Sequence, residues 1–225
     1  MRLTLLLLLT CCVLCAELRA EVPDGFVDIE RAVPGVVVEP RYFSANNFMG
    51  EAIDGYHAPR IYLTSEAAQA LARVQERLKD FGMRPKVFDA YRPQRAVDHF
   101  VRWTKDAGDT RMKAGYYPHV DKRDLIPEGY IAARSGHSRG STLDLTLVSG
   151  ADANAPELDM GTPFDFFGPE SHGVSEAVTP QQRANRLLLR TVMEAEGFRP
   201  LTEEWWHFTL IDEPYPETYF DFVVE

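Results

Sequence analysis

In Ser141-Thr142-Leu143-Asp144-Leu145-Thr146-Leu147, polar and apolar side chains alternate strictly from Thr142 onward. Successive side chains of a strand point to opposite faces, so Leu143, Leu145 and Leu147 share one face and Thr142, Asp144 and Thr146 the other. The leucine face belongs to a core, which leaves Asp144 pointing toward a cleft from a rigid strand. Just upstream, Ser135-Gly136-His137-Ser138-Arg139-Gly140 adds an imidazole. Far downstream, Glu204-Trp205-Trp206-His207 adds a second imidazole and a spare carboxylate. These are the parts of a hydrolytic zinc centre, which takes three protein ligands from His, Asp or Glu, keeps one position open for water and needs a nearby base. His137, Asp144 and His207 are the expected ligands and Glu204 the expected base. Taken singly, each reads better as a satisfied histidine or a turn aspartate; the combination carries the chemistry.

The downstream segment repeats the strand logic, with Trp205, His207 and Thr209 on one face and Trp206, Phe208 and Leu210 on the other. A regular strand would turn Glu204 away from the side of His207. The chain must therefore bend, or begin its strand at about Trp205, for Glu204 to reach the reacting water.

Around these segments, Ser65–Lys79 reads as a helix capped by Thr64 or Ser65, with Leu71, Val74 and Leu78 as its apolar stripe. Pro85-Lys86-Val87-Phe88 reads as a short strand ending in the turn Asp89-Ala90-Tyr91-Arg92-Pro93, where Pro93 opens a helix near Gln94–Thr104. A long irregular stretch, 106–136, leads into the first metal segment, and loops of that length in compact domains are usually functional. Thr179-Pro180-Gln181-Gln182 is a capping-box start, and its helix runs through Leu187, Leu188, Val192 and Met193 to a stop at Gly197. Helices and strands without a βαβ rhythm imply an α+β single domain: an antiparallel sheet with flanking helices forming a zinc-binding cleft.

At 225 residues, 45% hydrophobic and 26% charged, the chain is an ordinary globular one with room for one catalytic domain. Its net charge of −10, with no basic face apparent, argues against nucleic acid as a partner. Met1-Arg2 followed by the apolar run Leu3 to Cys15 is too short to span a bilayer and reads as a secretory signal, residues 1–20, ahead of a catalytic domain at 21–225. The expected protein is exported, periplasmic or extracellular, with no stable membrane span. Cys11, Cys12 and Cys15 all lie in the signal, so the mature domain has neither disulfide nor thiolate chemistry. Thr10 before Cys11 and Leu14 before Cys15 are poor neighbours for lipid attachment.

The two metal-bearing segments resemble the D-alanyl-D-alanine metallopeptidases, whose shared pattern is S-x-H-x-x-G-x-A-x-D followed later by E-x-W-H. Thr142 stands where many relatives carry Ala, a departure at a position that is not a ligand. Asp89-Ala90-Tyr91-Arg92-Pro93, Tyr42 ahead of Asn46-Asn47-Phe48, and Met160-Gly161-Thr162-Pro163-Phe164-Asp165 narrow the resemblance to D-Ala-D-Ala dipeptidases of the vancomycin-resistance X type. That resemblance implies one Zn2+, a small D-amino-acid dipeptide as substrate, and Arg92 as the cation that stabilises the oxyanion; the plainer reading of Arg92 is a salt bridge at a helix start. Asp165 matches the position that holds the substrate ammonium. Ser135 matches one that hydrogen-bonds substrate, against a turn residue bonding its own backbone. Tyr42 either lines the site or fills the core, and Arg139 is either a solvated charge or a carboxylate contact. His57, His99, His119 and His172 read as surface or loop residues, and Phe164, Phe166 and Phe167 as packing around Asp165.

Two other functions compete. A carboxypeptidase or endopeptidase of the same superfamily would act on longer peptidoglycan stem peptides. A catalytically silent zinc protein would bind only, and the presence of both Glu204 and Arg92 argues against it.

Overall fold

The computed structural model describes residues 22–150 and 155–225. The expected signal, residues 1–20 with its three cysteines, lies outside the described residues. In chain order the elements are β1 (Phe26–Asp28), α1 (Ile29–Ala32), β2 (Val37–Val38), β3 (Tyr62–Thr64), α2 (Ser65–Lys79), β4 (Met83–Asp89), α3 (Gln94–Thr104), α4 (Lys113–Tyr116), β5 (Thr142–Ser149), α5 (Pro180–Ala195), β6 (Phe198–Pro200) and β7 (His207–Leu210). β1 and β3 pair antiparallel, and the other strands form one sheet in the order β2-β4-β5-β7-β6.

That sheet is mixed where an antiparallel one was expected. β2 runs parallel to β4, while β4-β5, β5-β7 and β7-β6 are antiparallel. The cause is the connection: β2 reaches β4 through β3 and α2, a crossover long enough to return the chain in the same direction.

The helices start where their caps dictate. Thr64 accepts from the Ala67 amide at the head of α2, and Thr179 and Gln182 complete a reciprocal capping box on α5. α2 buries Leu71, Val74 and Leu78; α5 buries Leu189, Val192 and Met193. Leu187 is exposed, and the buried side chain beside it is Arg186. Its guanidinium donates to the carbonyls of Met160, Glu170 and His172, so charge and burial are reconciled by backbone acceptors. Those bonds fasten both ends of the loop that carries Asp165.

β5 is the central strand and runs on to Ser149. Its leucine face is core as expected, but Thr142, Asp144 and Thr146 are buried as well. With strands on both sides the polar face is enclosed: the Thr142 and Thr209 hydroxyls pair at 2.9 Å, while Thr146 Oγ1 and Asp144 Oδ1 have no hydrogen-bond partner among the described residues. A register shift between Val87 and Asp89 bends β4 at its end. It sets Asp89 opposite Asp144, and Asp144 in turn opposite His207, in one row across three strands.

The stretch 106–136 is irregular but anchored. It contains α4 and a 3₁₀ turn at Lys122–Asp124, and the Lys122 ammonium donates to the carbonyls of Asp106 and Asp109 while lying 3.8 Å from the centre of the Trp103 ring. Leu125 and Ile131 are buried beneath it. No described helix is long and apolar enough to cross a membrane.

Candidate metal centre and active site

His137 enters on a 3₁₀ turn, Gly136–Arg139, that Ser135 opens: the Ser135 hydroxyl accepts from the His137 amide at 3.3 Å. Gly140 closes the turn in the left-handed conformation (φ +82°), and a Cβ there would collide with the Phe26 ring, so glycine is required on both counts. The His137 Nδ1 lies 2.7 Å from the Ala90 carbonyl oxygen; as a donor there it turns the Nε2 lone pair inward.

Three donor atoms converge. His137 Nε2 is 3.3 Å from Asp144 Oδ2 and 3.3 Å from His207 Nδ1, and His207 Nδ1 is 3.1 Å from Asp144 Oδ1. Ligands about 2.0 Å from a tetrahedral metal are separated by about 3.3 Å; the two imidazole nitrogens show that spacing, and the Asp144 carboxylate presents one oxygen toward each of them. Asp144 Oδ1 is buried and makes no properly oriented hydrogen bond, which leaves it available to a cation. Nitrogen and carboxylate oxygen in tetrahedral array suit zinc. Charge reflects the crowding. Burial disfavours the Asp144 carboxylate, but His137 and His207 override it and hold its pKa well below the usual range. Burial likewise disfavours charge on His207, yet hydrogen bonds to Asp144 and Glu204 push its pKa up to about 9.

Glu204 reaches this centre because β7 begins only at His207, later than the expected Trp205. Glu204 lies in the preceding turn, where its carbonyl accepts from the His207 amide at 3.4 Å. The turn is held by Trp205, whose amide donates to the Ser171 carbonyl and whose indole donates to Thr162. Glu204 Oε2 ends 3.4 Å from His207 Nδ1.

Arg92 donates to Asp89 Oδ2 at 2.9 Å, lies 3.5 Å from Asp144 Oδ2, and stacks on Tyr42 and Phe100 with ring centres 5.0 and 5.2 Å away. It is therefore both a helix-start salt bridge and a cation beside the metal ligands. Asp165 is almost fully buried, accepts from the Tyr42 hydroxyl at 3.0 and 3.2 Å, and is the one non-glycine residue with positive φ (62°) among the described residues. Strain of this kind gathers at functional sites, where the surroundings hold it in place. Burial foremost, then the negative charge of Asp144, raises its pKa well above the ordinary carboxylate range. Tyr42, also buried, keeps its proton and so remains a donor. It meets the site through Asp165.

His137, Asp144, His207, Glu204, Arg92, Asp165, Tyr42 and Ser135 all line one cavity of about 280 Å3. That is near the lower end of the roughly 300–1,000 Å3 common for small-molecule sites. Phe164 and Phe167 are packing, as expected, and Phe164 stacks on Phe88 at 4.8 Å. Arg139 is withdrawn from the site: Glu213 neutralises it through two contacts at 2.8 and 2.9 Å.

A family profile described as D-Ala-D-Ala dipeptidase, peptidase M15, matches residues 23–225. The chain belongs to this family. Its sequence is 44% identical over 200 residues to a D-alanyl-D-alanine dipeptidase of Streptomyces coelicolor, covering 88% of this chain and 98% of that one. It is 41% identical over 202 residues to one of Enterococcus faecalis, with coverage of 89% and 98%. A more distant relative in Escherichia coli, also a D-alanyl-D-alanine dipeptidase, is 33% identical over 82% of this chain and 83% of its own.

Within this M15 chain, four contributors carry no assignment from sequence alone. Asp89, fully enclosed, takes Tyr56 on one oxygen at 2.7 Å and Arg92 on the other. Its position in the motif with Arg92 was the available signal. Arg186 gave none, because an arginine on an amphipathic helix reads as solvent-facing. Tyr130 and Arg134, from the irregular stretch, also line the cavity.

Proposed function

We propose that this chain is an exported zinc D,D-dipeptidase that hydrolyses D-alanyl-D-alanine. The observation that carries the reading is the presence of the His137–Asp144–His207 trio, Glu204 and the buried Asp165 in one small cavity. Membership of the M15 family and the dipeptidase names of its relatives support the substrate. His137, Asp144 and His207 would hold the zinc, which would supply a Lewis acid and lower the pKa of water at the site. Glu204 takes the water's proton and returns it to the leaving amine. Arg92, already fixed by Asp89, faces negative charge developing on the carbonyl oxygen without having to reorganise. Asp165 holds the substrate ammonium, and Tyr42 keeps Asp165 aimed.

A buried carboxylate at the closed end of the site favours a free amino terminus over the extended chain of a stem peptide, which is why the dipeptidase reading stands above the carboxypeptidase one. Export rests on residues 1–20, and it favours peptide salvage or wall turnover over depletion of a cytoplasmic pool. Turnover of a stereochemical panel of dipeptides and tripeptides by the purified mature protein tests the reading. D-Ala-D-Ala is cleaved and N-blocked or longer peptides are not; preferential cleavage of tripeptides or stem peptides would overturn it.

A further inference from the structure

The dipeptide is a zwitterion, and the proposed site accounts for its ammonium alone. A carboxylate terminus calls for a cation that is held in place but not already neutralised. Two arginines are among the residues lining the cavity, Arg92 and Arg134. Arg92 is committed to Asp89 and lies against Asp144. Arg139, on the same turn as His137, is committed to Glu213. Arg134 has no carboxylate within ion-pair distance among the described residues; its guanidinium rests over the Tyr219 ring, 4.7 Å from the centre. A cation–π contact restrains a guanidinium without cancelling its charge.

Its backbone is fixed as well. The Ala133 carbonyl accepts from the Gln94 amide side chain at 3.1 Å, and Ser135 caps the turn that delivers His137. Arg134 thus stands between an anchored loop and a proposed metal ligand, on the solvent side of the cavity, while Asp165 occupies the buried side.

We infer that Arg134 binds the C-terminal carboxylate of the dipeptide and sets the enzyme's preference for a free acid at that end. This rests on the dipeptidase reading. The experiment compares D-Ala-D-Ala with its C-terminal amide on the unmodified enzyme, Arg134→Gln and Arg134→Lys, with zinc content measured in parallel. The unmodified enzyme prefers the acid. Arg134→Gln lowers kcat/KM for the acid by about ten-fold, chiefly through KM, and leaves the amide nearly unchanged. Arg134→Lys recovers part of the loss, because charge is restored without the planar fork. An Arg134→Gln enzyme that keeps the original acid-over-amide preference overturns the assignment alone. An unmodified enzyme that cleaves neither dipeptide overturns the dipeptidase reading, and the assignment with it.

Discussion

Tyr42 donates its hydroxyl to Asp165, 3.0 Å from one carboxylate oxygen and 3.2 Å from the other, although the two residues are far apart in the chain. The bond favours the charged carboxylate in a setting where burial and Asp144 oppose it. Only the charged form pairs with an ammonium. The acid limb of kcat/KM for D-Ala-D-Ala is therefore expected above the ordinary carboxylate range, with activity lost as pH falls through it. Tyr42→Phe removes a donor to the charged form, so Asp165 gains its proton at still higher pH. In pH–rate profiles the limb moves upward and KM rises by about three- to ten-fold. An unmoved limb would separate Tyr42 from the titration of Asp165.

Acetylating the substrate amine tests the other side of that pairing. A neutral amide would leave the Asp165 carboxylate buried without a counter-charge, so N-acetyl-D-Ala-D-Ala is expected to be refused. Asp165→Asn weakens the discrimination and impairs use of the free dipeptide while zinc content stays at one per chain. Equal turnover of free and acetylated dipeptides would return the carboxypeptidase reading to first place.

The ligand trio predicts linked losses. Replacing His137, Asp144 or His207 by Ala removes a corner of a site whose donors lie 3.1–3.3 Å apart. Elemental analysis is expected to show metal falling together with activity in all three variants. Full zinc occupancy in any one of them would remove that residue from the coordination sphere.

Most of this was legible where chemistry and period coincide. The Thr179 capping box, the Ser65–Lys79 stripe and the alternation around Asp144 each encode their element locally, and the structure follows them. The parallel β2 was not legible, because a strand as brief as Val37–Val38 has no period and its direction is set by the crossover after it. Nor was the start of β7. It depends on Trp205 finding Ser171 and Thr162, contacts that no local pattern announces. Burial of the polar face of β5 follows from its central place in the sheet, which a single strand's alternation does not reveal.

Asp89 supplies a prediction about stability. It is the carboxylate partner of Arg92 in a nearly dry setting, with Tyr56 on its other oxygen. Asp89→Ala leaves the buried guanidinium with Asp144, 3.5 Å away and already committed to the metal site, and leaves the Tyr56 hydroxyl without its acceptor. It is expected to cost about 3–5 kcal/mol in denaturant unfolding, more than a surface salt bridge could. A loss below about 1 kcal/mol would show that Arg92 finds solvent or Asp144 in its place.

Glu204 separates metal binding from chemistry. It lies 3.4 Å from His207 Nδ1 but is not one of the three converging donors, and its turn is held by Trp205 and not by the ion site. Glu204→Gln preserves the shape of the side chain and removes its ability to take a proton. The variant is expected to keep one zinc and an unchanged fold while kcat falls by about two to four orders of magnitude, since general-base catalysis contributes roughly 10²–10⁴-fold. KM should change little, because Asp165 and Arg134, not Glu204, are assigned the substrate termini. Near-normal kcat in the zinc-replete variant would mean that another group accepts the proton. Loss of zinc would mean that Glu204 belongs among the ligands, and comparing metal content with kcat in the same preparation distinguishes the two.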